Sequence, residues 1–458
     1  MQRQIGFAIG VFFSVWLIAA DQAVAYTLKT LHRFCSSANC TDGMSTTAGL
    51  AMDSRGNLYG TTRLGGAYGQ GVVFQLTPNA DGWTYSVLYN FCAKPNCLDG
   101  AQPYASLIVD IRGNLYGTAT SGGANNQGTV FRLGPGANTR WALTTLYSFC
   151  ADANCADGAF PFAGVTYANA AKGLPYDPAS PLFGTTVSGG STSGGVAYEL
   201  TRNHGAWEET LLYTFCTIGG ESCLDGAGPK ADMIFDNSGN MFGIAGGTAY
   251  ELSPNGSQWL ETPLYRFCKA GGCQDGVAPL GPILLDRDGR LWGVTEYGGQ
   301  WDYGVAYEIV PAGEYSQEYV VHDFCGYEEC YDGSRPFGGL TGDAPSLMFG
   351  TTMTGGLTDY CFGGCGLVFS LSGTQYTWLY QFCAELSCPD GAMPASPVLV
   401  DGRGDLFGTT LSGGINYSGT VWELIPETGK RKGGRSSRPT TPDASGDLKP
   451  SPRTVRGR

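Results

Sequence analysis

Histidine is scarce in this chain, with only three residues, His32, His204 and His322, among 458. None stands in the sequence context of the base of a catalytic triad. The sequence also lacks a G-x-S-x-G nucleophile motif, a phosphate-binding loop and a dinucleotide fingerprint. The usual signals of a hydrolase or a nucleotide-dependent enzyme are therefore missing, and we assign no catalytic residue.

Charge is also sparse, at 15% of residues, and it is unevenly distributed. Residues 429–458 contain nine basic and two acidic residues, so this segment carries +7 and residues 1–428 carry −20, against −13 for the whole chain. An acidic body of this size repels nucleic acid and anionic membranes. Residues 429–458 are rich in Ser, Pro and Gly, and we expect them to form a disordered basic tail.

One apolar run lies near the beginning of the chain, at Ile5–Ala20. It follows Arg3 and precedes the small residues Ala23-Val24-Ala25, which predicts a signal peptide over residues 1–25 with cleavage before Tyr26. A membrane anchor would need about 20 apolar residues. We therefore expect a secreted or periplasmic protein without a membrane span after cleavage.

The chain is rich in internal repeats, because a unit of about 57 residues recurs seven times from Tyr26 onward. Each unit contains an aromatic-Phe-Cys segment, an Asp-Gly pair, a D-x-x-G-N turn, an L-Y-G-T-T segment and a Gly-Gly loop. In the copy at residues 49–92, four segments have the residue types and alternation of β-strands. Helical periodicity is absent beyond the signal peptide.

Seven units of four antiparallel strands predict an all-β fold, a seven-bladed β-propeller over residues 26–428. A linear β-solenoid is the alternative, but it would need capping units at both ends. The chain instead opens with a lone fourth-type strand at 27–34 and closes with a third-type strand at 420–424. We expect these two strands to pair and complete blade seven. We attribute the glycine of L-Y-G-T-T to crowding by the backbones of neighbouring blades.

Sixteen cysteines in an exported chain predict disulfides. Seven local pairs recur with the repeat, and an eighth lies in an insertion in the sixth repeat: Cys35 with Cys40, Cys92 with Cys97, Cys150 with Cys155, Cys216 with Cys223, Cys268 with Cys273, Cys325 with Cys330, Cys383 with Cys388, and Cys361 with Cys365. Zinc needs four ligands, and no second pair or histidine lies near each repeated pair in sequence. We therefore assign no metal site.

Two kinds of loop must emerge on one face of such a propeller. The Cys loop joins strand four of one blade to strand one of the next, and the Gly-Gly loop joins strands two and three. Long loops on a rigid scaffold favour binding. This face repeats one Asp-Gly carboxylate per blade, at Asp42, Asp99, Asp157, Asp225, Asp275, Asp332 and Asp390. Such a ring could hold Ca²⁺ or sugar hydroxyls, but turns whose carboxylates accept local N–H groups are the favoured interpretation.

Departures from the repeat provide the candidate ligand face. Blade six extends its Gly-Gly loop into a stapled finger, blade five has an aromatic loop, and blade four keeps only Ala245-Gly246-Gly247. We expect a lopsided depression beside exposed aromatic residues, which stack on sugars or anchor protein partners. The candidate residues are Tyr297, Trp301, Tyr303, Asp359, Tyr360 and Phe362.

The segments at 113–118, 122–123, 128–133 and 146–149 read G-N-L-Y-G-T, Gly-Gly, G-T-V-F-R-L and L-Y-S-F. They resemble the GloVer tandem-repeat family of exported bacterial proteins, across nearly the whole mature chain. The resemblance implies an extracytoplasmic repeat protein and brings no established activity. The paired cysteines are an addition to the family pattern, and the tail lacks the hydrophobic sorting anchor of some relatives, so we expect free secretion or periplasmic residence.

The sequence thus predicts a monomeric binding module for a glycan or an extracellular protein, with no nucleic-acid partner. A carbohydrate-active hydrolase or lyase that uses loop-face carboxylates is one alternative. A purely structural surface protein is the other. Ca²⁺ at the carboxylate ring is the one cofactor considered.

Overall fold

A computed structural model describes residues 25–136, 140–170, 173–269, 271–312, 316–357, 360–361 and 363–427. Residues 26–426 form one compact unit. The predicted signal peptide, apart from Ala25, and the predicted basic tail lie outside the described residues. So do Asp359 and Phe362 of the candidate ligand face.

The described residues form seven antiparallel sheets arranged as the blades of a β-propeller. The chain begins with β1 (Tyr26–Arg33). Blade one contains β2 (Ala51–Met52), β3 (Leu58–Thr62), β4 (Val72–Asn79) and β5 (Gly82–Asn90). Blade two contains β6 (Ile108–Val109), β7 (Leu115–Ala119), β8 (Thr129–Pro135) and β9 (Trp141–Ser148). Blade three contains β10 (Leu182–Thr186), β11 (Val196–Asn203) and β12 (Ala206–Thr214), with a single bridge from Thr166 to Phe183 in place of its first strand.

The remaining blades follow the same order. Blade four contains β13 (Ile234–Phe235), β14 (Met241–Ala245), β15 (Thr248–Asn255) and β16 (Gln258–Arg266). Blade five contains β17 (Leu284–Leu285), β18 (Leu291–Val294), β19 (Val305–Val310) and β20 (Gln317–Asp323). Blade six contains β21 (Ser334–Asp343), β22 (Leu347–Thr354), β23 (Leu367–Ser372) and β24 (Gln375–Gln381). Blade seven contains β25 (Leu399–Val400), β26 (Leu406–Thr409) and β27 (Thr420–Pro426).

The ring closes through the first and last strands of the propeller. Strand β1 pairs antiparallel with β27, with Thr27 opposite Ile425 and Lys29 opposite Glu423, and becomes the outer strand of blade seven. The predicted closure is therefore confirmed. Because β1 and β27 come from the two ends of the domain and share one sheet, their pairing completes blade seven and closes the ring.

The hydrophobic core lies between the blades. Seven clusters of buried apolar residues are formed, and each combines residues from two adjacent blades. Between blades one and two, for example, Tyr59 and Val73 pack with Leu115 and Phe131. Burial of apolar surface at these contacts holds the blades in a ring.

Threonine hydroxyls add polar links between blades. In blades one, two, six and seven the first threonine of the L-Y-G-T-T segment donates to a backbone carbonyl of the next blade, as in Thr61 to Ala105 O at 3.2 Å and Thr118 to Ala163 O at 2.9 Å. Thr409 donates to Ala48 O at 3.3 Å and so links blade seven to blade one. The Thr185 hydroxyl of blade three has no hydrogen-bond partner among the described residues, and blades four and five have Ile244 and Val294 at this position, so these three blades lack the link.

The strand glycine has a different cause from the one predicted. Gly60 lies opposite Phe74 in the adjacent strand of its own blade, and a Cβ added at Gly60 would come within 2.5 Å of the Phe74 ring. The equivalent glycines face an aromatic ring of their own blade in the same way. The prediction that backbones of neighbouring blades exclude a side chain was wrong, because register within the blade places the ring there.

Replacing Gly60 with Ala should therefore destabilise the domain through overpacking, by about 1–3 kcal/mol. Gly402→Ala is the matched control, because a Cβ at Gly402 meets nothing within 4 Å. Chemical unfolding of both variants measures the difference. Equal unfolding free energies for the two variants would contradict the ring contact as the reason for glycine.

Candidate functional site

The Cys loops and Gly-Gly loops lie together on one face of the propeller, as predicted. In blade one, Met44 of the Cys loop bridges to Leu64, and Gly66 N–H donates to Cys40 O at 2.9 Å. The same bond from a glycine N–H to the carbonyl of the second cysteine recurs at Gly123, Gly190, Gly299, Gly356 and Gly414. We call this surface the loop face. Its two kinds of loop form one hydrogen-bonded layer.

Disulfides fix the Cys loops. The structure contains all eight pairs in the predicted connectivity. Both cysteines of each repeated pair adopt a left-handed backbone conformation, for example φ 63° at Cys92 and 53° at Cys97. This region is disfavoured for residues with a Cβ. The tight loop therefore depends on contacts that offset local strain.

A buried aspartate provides those contacts. Asp99, in the Asp-Gly pair after Cys97, accepts hydrogen bonds from Ala93 N–H at 2.9 Å, Lys94 N–H at 3.1 Å and the Tyr89 hydroxyl at 2.7 Å. Tyr147, Tyr213, Tyr265 and Tyr380 bind the equivalent aspartates at 2.8 Å. The turn interpretation of these carboxylates is confirmed, because the fold itself supplies their donors.

Histidine replaces this tyrosine at two junctions. Nε2 of His32 lies 3.1 Å from Asp42, and Nε2 of His322 lies 3.1 Å from Asp332. Each imidazole stacks on a tyrosine of the next blade, His32 on Tyr85 with ring centroids 3.7 Å apart. Burial lowers the pKa of His32, although Asp42 opposes the shift. The two histidines therefore have a structural role, because each contacts the Asp-Gly carboxylate and packs on a tyrosine of the next blade.

Three glutamates, of which Glu261 is buried and Glu209 and Glu318 are half-buried, occupy the position of Tyr85 in other blades, and sequence reasoning missed them. Glu209, Glu261 and Glu318 lie on the outer strands of their blades. Each pairs with an apolar residue of the third strand of its own blade, as Tyr85 does in blade one. Burial, and then the charge of the preceding Asp-Gly carboxylate, raises their pKa values to about 7, 8 and 7 respectively. A comparison of equivalent positions between repeats would have identified the three glutamates. In each case the outer strand of the preceding blade has Tyr rather than His at the position that binds the Asp-Gly carboxylate.

The predicted depression lies where blade four lacks its Gly-Gly loop. Ala245 pairs directly with Thr248, so Gly246 and Gly247 alone connect β14 to β15. Two adjoining cavities of about 360 and 480 Å³ open here and share Ala227, Gly246 and Leu280 in their walls. We call them together the blade-four depression. Its charged lining side chains are Lys230 and Arg266, both basic.

Lys230 also reaches the opening of the central channel. There it lies beside half-buried aromatic residues, with Nζ 6.0 Å from the Phe162 ring centroid. The Phe162 and Tyr104 rings are 3.8 Å apart, and Phe337 lines the same opening. A basic side chain therefore connects an aromatic channel mouth to the blade-four depression.

The aromatic candidates fall into two groups. Tyr297, Trp301 and Tyr303 lie in the loop of blade five, where Val277 of the depression wall pairs with Tyr297. The Arg335 guanidinium lies 5.1 Å from the Tyr297 ring and donates to its hydroxyl at 2.7 Å. Trp301 and Tyr303 are 49% and 44% exposed. Tyr360, 53% exposed, belongs to the separate finger of blade six.

Further exposed side chains lie in the same kinds of loop and were not predicted. They are Tyr68 in blade one, Tyr327 and Tyr331 beside the Cys325–Cys330 loop, and Ile415 and Tyr417 in blade seven. Their position in Gly-Gly or Cys loops was the available signal. The exposed apolar surface of the loop face is therefore wider than the two departures from the repeat indicated.

The sequence profile of the Gloeobacter/Verrucomicrobia repeat family matches residues 10–177 and 162–362. The chain belongs to this family. No curated protein sequence matches the chain. Family membership thus agrees with the resemblance drawn from the repeat motifs and names no ligand.

Solved structures share the propeller fold of this Gloeobacter/Verrucomicrobia repeat protein at low identity. YCF48 from Cyanidioschyzon merolae is 11% identical with a TM-score of 0.50, covering 89% of this chain and 100% of that one. The extracellular domain of the putative hybrid two component system BT4673 from B. thetaiotaomicron is 11% identical with a TM-score of 0.49, covering 86% of this chain. The repeat protein spans only 39% of that domain's chain. At this identity the likeness to YCF48 shows the fold alone.

Among the residues that the structure describes, no helix of the repeat protein has the length and apolar character to cross a membrane. In the same residues, carboxylates do not gather in threes around a common point. The Asp-Gly residues accordingly remain one per blade, each bound to its own turn.

The three glutamates predict a pH dependence of stability. Because the folded-state pKa of Glu261 is raised to about 8 from an ordinary value of 4.5, the folded repeat protein holds a proton that the unfolded chain releases. Stability from this proton is complete below pH 4.5 and is lost as pH rises to about 8. Glu261→Gln should therefore raise the melting temperature at pH 8 relative to wild type, and have little effect at pH 4.5.

Glu208→Gln is the control, because Glu208 is an exposed glutamate of the same protein. Thermal unfolding from pH 4.5 to 9 measures both variants. A pH profile of Glu261→Gln that runs parallel to that of wild type would contradict a protonated Glu261.

Proposed function

We propose that this repeat protein is an exported glycan-binding module that takes its ligand on the loop face. The observation that carries the proposal is the blade-four depression, where one shortened loop leaves a concave surface on an otherwise continuous layer. Concave sites with a few convergent polar groups favour ligand binding. The rigid, disulfide-linked layer around the depression would supply a surface that changes little on binding.

The proposed compartment follows from the cysteines. None of the sixteen is free, and disulfides on this scale persist in oxidising surroundings such as the periplasm or the extracellular medium. The predicted signal peptide supports the same placement. Polysaccharides of envelopes and matrices are the abundant extended ligands there.

Charge supports an acidic sugar as the preferred ligand. Lys230 and Arg266 are the charged residues in the walls of the depression, although residues 1–428 carry a net charge of −20. Two basic side chains in such a body are suited to the carboxylate or sulfate of a polysaccharide. Arg266 already donates to Ser222 O at 3.1 Å, which orients it along one edge.

Aromatic side chains support a sugar in particular. Trp301 and Tyr303 are exposed in the loop that flanks the depression, and Tyr104 and Phe162 lie at the channel mouth on its other side. Flat rings stack on the apolar faces of sugars. An extended chain that crosses the depression would therefore meet aromatic residues at both ends and basic residues between them.

Binding of the full chain to an array of neutral and acidic polysaccharides tests the proposal. Lys230→Ala should weaken binding of acidic glycans about tenfold, because it removes one of the two positive charges in the depression. Trp301→Ala should weaken binding of neutral and acidic glycans alike by about 1–2 kcal/mol, as expected for the loss of one exposed aromatic contact. Isothermal titration on the best array hit measures both effects.

Matched controls are available in the chain. Trp378, 56% exposed on the outer strand β24, controls for loss of a surface tryptophan, and Lys94, exposed in another Cys loop, controls for loss of a surface charge. Tyr360→Ala tests whether the finger takes part. No binding to any glycan would refute the proposal and favour a protein partner or a structural role.

A further inference from the structure

Four cysteines meet at the junction of blades six and seven. The Sγ atoms of Cys361, Cys365, Cys383 and Cys388 all lie within 4.8 Å of one another. Cys361 and Cys365 come from the finger of blade six, and Cys383 and Cys388 from the next Cys loop. Among the described residues this is the one place where three or more potential metal-ligating side chains converge.

This arrangement gives the Cys383–Cys388 pair a second pair of sulfur ligands, which the other repeated pairs lack in sequence. A single Cys loop offers two sulfurs, whereas a closed zinc site needs four. The insertion in blade six adds the second pair, and tertiary packing sets it against the Cys loop. The ligand spacings, three residues between Cys361 and Cys365 and four between Cys383 and Cys388, suit zinc-binding loops.

We propose that Cys361, Cys365, Cys383 and Cys388 form a tetrahedral zinc site when their two disulfides are reduced. In a tetrahedral site with Zn–S bonds of about 2.3 Å, the sulfurs stand roughly 3.8 Å apart. Because the four atoms already lie within 4.8 Å, shifts of about 1 Å would suffice to reach that geometry. The backbone need not rearrange on that scale.

The surroundings suit a buried thiolate site. Cys365, Cys383 and Cys388 are buried, and they pack with Phe382, Ala392 and Trp422 in the cluster between the two blades. Backbone bonds hold the two segments together, since Met393 N–H donates to Cys365 O at 2.8 Å. Arg33 of β1 donates to Pro389 O at 2.9 Å and so holds the segment that follows Cys388.

Each disulfide takes two electrons and two protons from a dithiol reductant, which becomes a disulfide, and yields two thiols. Zinc then binds four thiolates and releases four protons to solvent. A disulfide oxidant reverses the sequence: for each protein disulfide that re-forms, it takes two electrons from a pair of thiolates and two protons from solvent and becomes a dithiol, and the ion is expelled. The disulfides and the metal are therefore alternative occupants of the same four sulfurs.

Zinc content of the full chain tests the site. The protein is reduced with a phosphine under anaerobic conditions, incubated with excess zinc chloride, desalted and analysed for metal. We expect about one zinc per chain for the reduced wild type and none for the oxidised protein. The Cys361→Ser/Cys365→Ser variant should lose this zinc, and Cys92→Ser/Cys97→Ser, which removes an isolated pair, should keep it.

Two further measurements keep the result decisive if full reduction loosens the fold. Cobalt in place of zinc should give the intense visible bands of a tetrahedral tetrathiolate in the wild type and in Cys92→Ser/Cys97→Ser only. Protein produced in a reducing cytoplasm should carry zinc in the same pattern. Equal zinc content in both cysteine variants, or no zinc in the reduced wild type, would overturn the proposal.

Discussion

The propeller depends on one hydrogen-bonded carboxylate at each junction between blades. The aspartate of the Asp-Gly pair accepts the hydroxyl of an outer-strand tyrosine and the N–H groups of the Cys loop, as Asp99 does with Tyr89 and Ala93. It thereby ties the end of one blade to the loop that leads into the next. The Gly-Gly loop is bonded to that Cys loop in turn. A local turn contact thus determines the position of the whole loop face.

The junctions differ in how they accommodate this carboxylate. Where histidine replaces tyrosine, a tyrosine of the next blade stacks on the imidazole, as Tyr85 does on His32 and Tyr376 on His322. At three junctions with tyrosine, a glutamate lies beside the aspartate. The pKa of this glutamate is raised by burial and then by the negative charge of the aspartate. Paired changes of this kind show that neighbouring repeats are adjusted to each other and are not independent copies.

Departures from the repeat are concentrated in blades three to six. Blade three lacks a regular first strand, blades four and five lack the threonine that links blades, and blade four lacks its loop. These losses coincide with the blade-four depression and with the aromatic loop of blade five. A ring held by seven clusters of apolar contacts tolerates such local losses, because each junction is stabilised separately. The scaffold therefore allows a site to form on one side.

Contacts within one repeat were determined by the sequence, because residues that are close along the chain must meet whatever surrounds them. The strands, the turns and the eight disulfides belong to this class, whereas the pairing of β1 with β27 followed from the order of strand types along the chain. Side-chain contacts between segments that are separated along the chain were decided only by the tertiary structure. The register that sets Phe74 over Gly60, the approach of Asp225 to Glu261 and the meeting of Cys361 with Cys383 each need two segments in a fixed geometry. The reason is physical: side-chain distances between neighbouring loops and strands follow from strand register and from packing of the blades, which the spacing of residues along the chain does not determine.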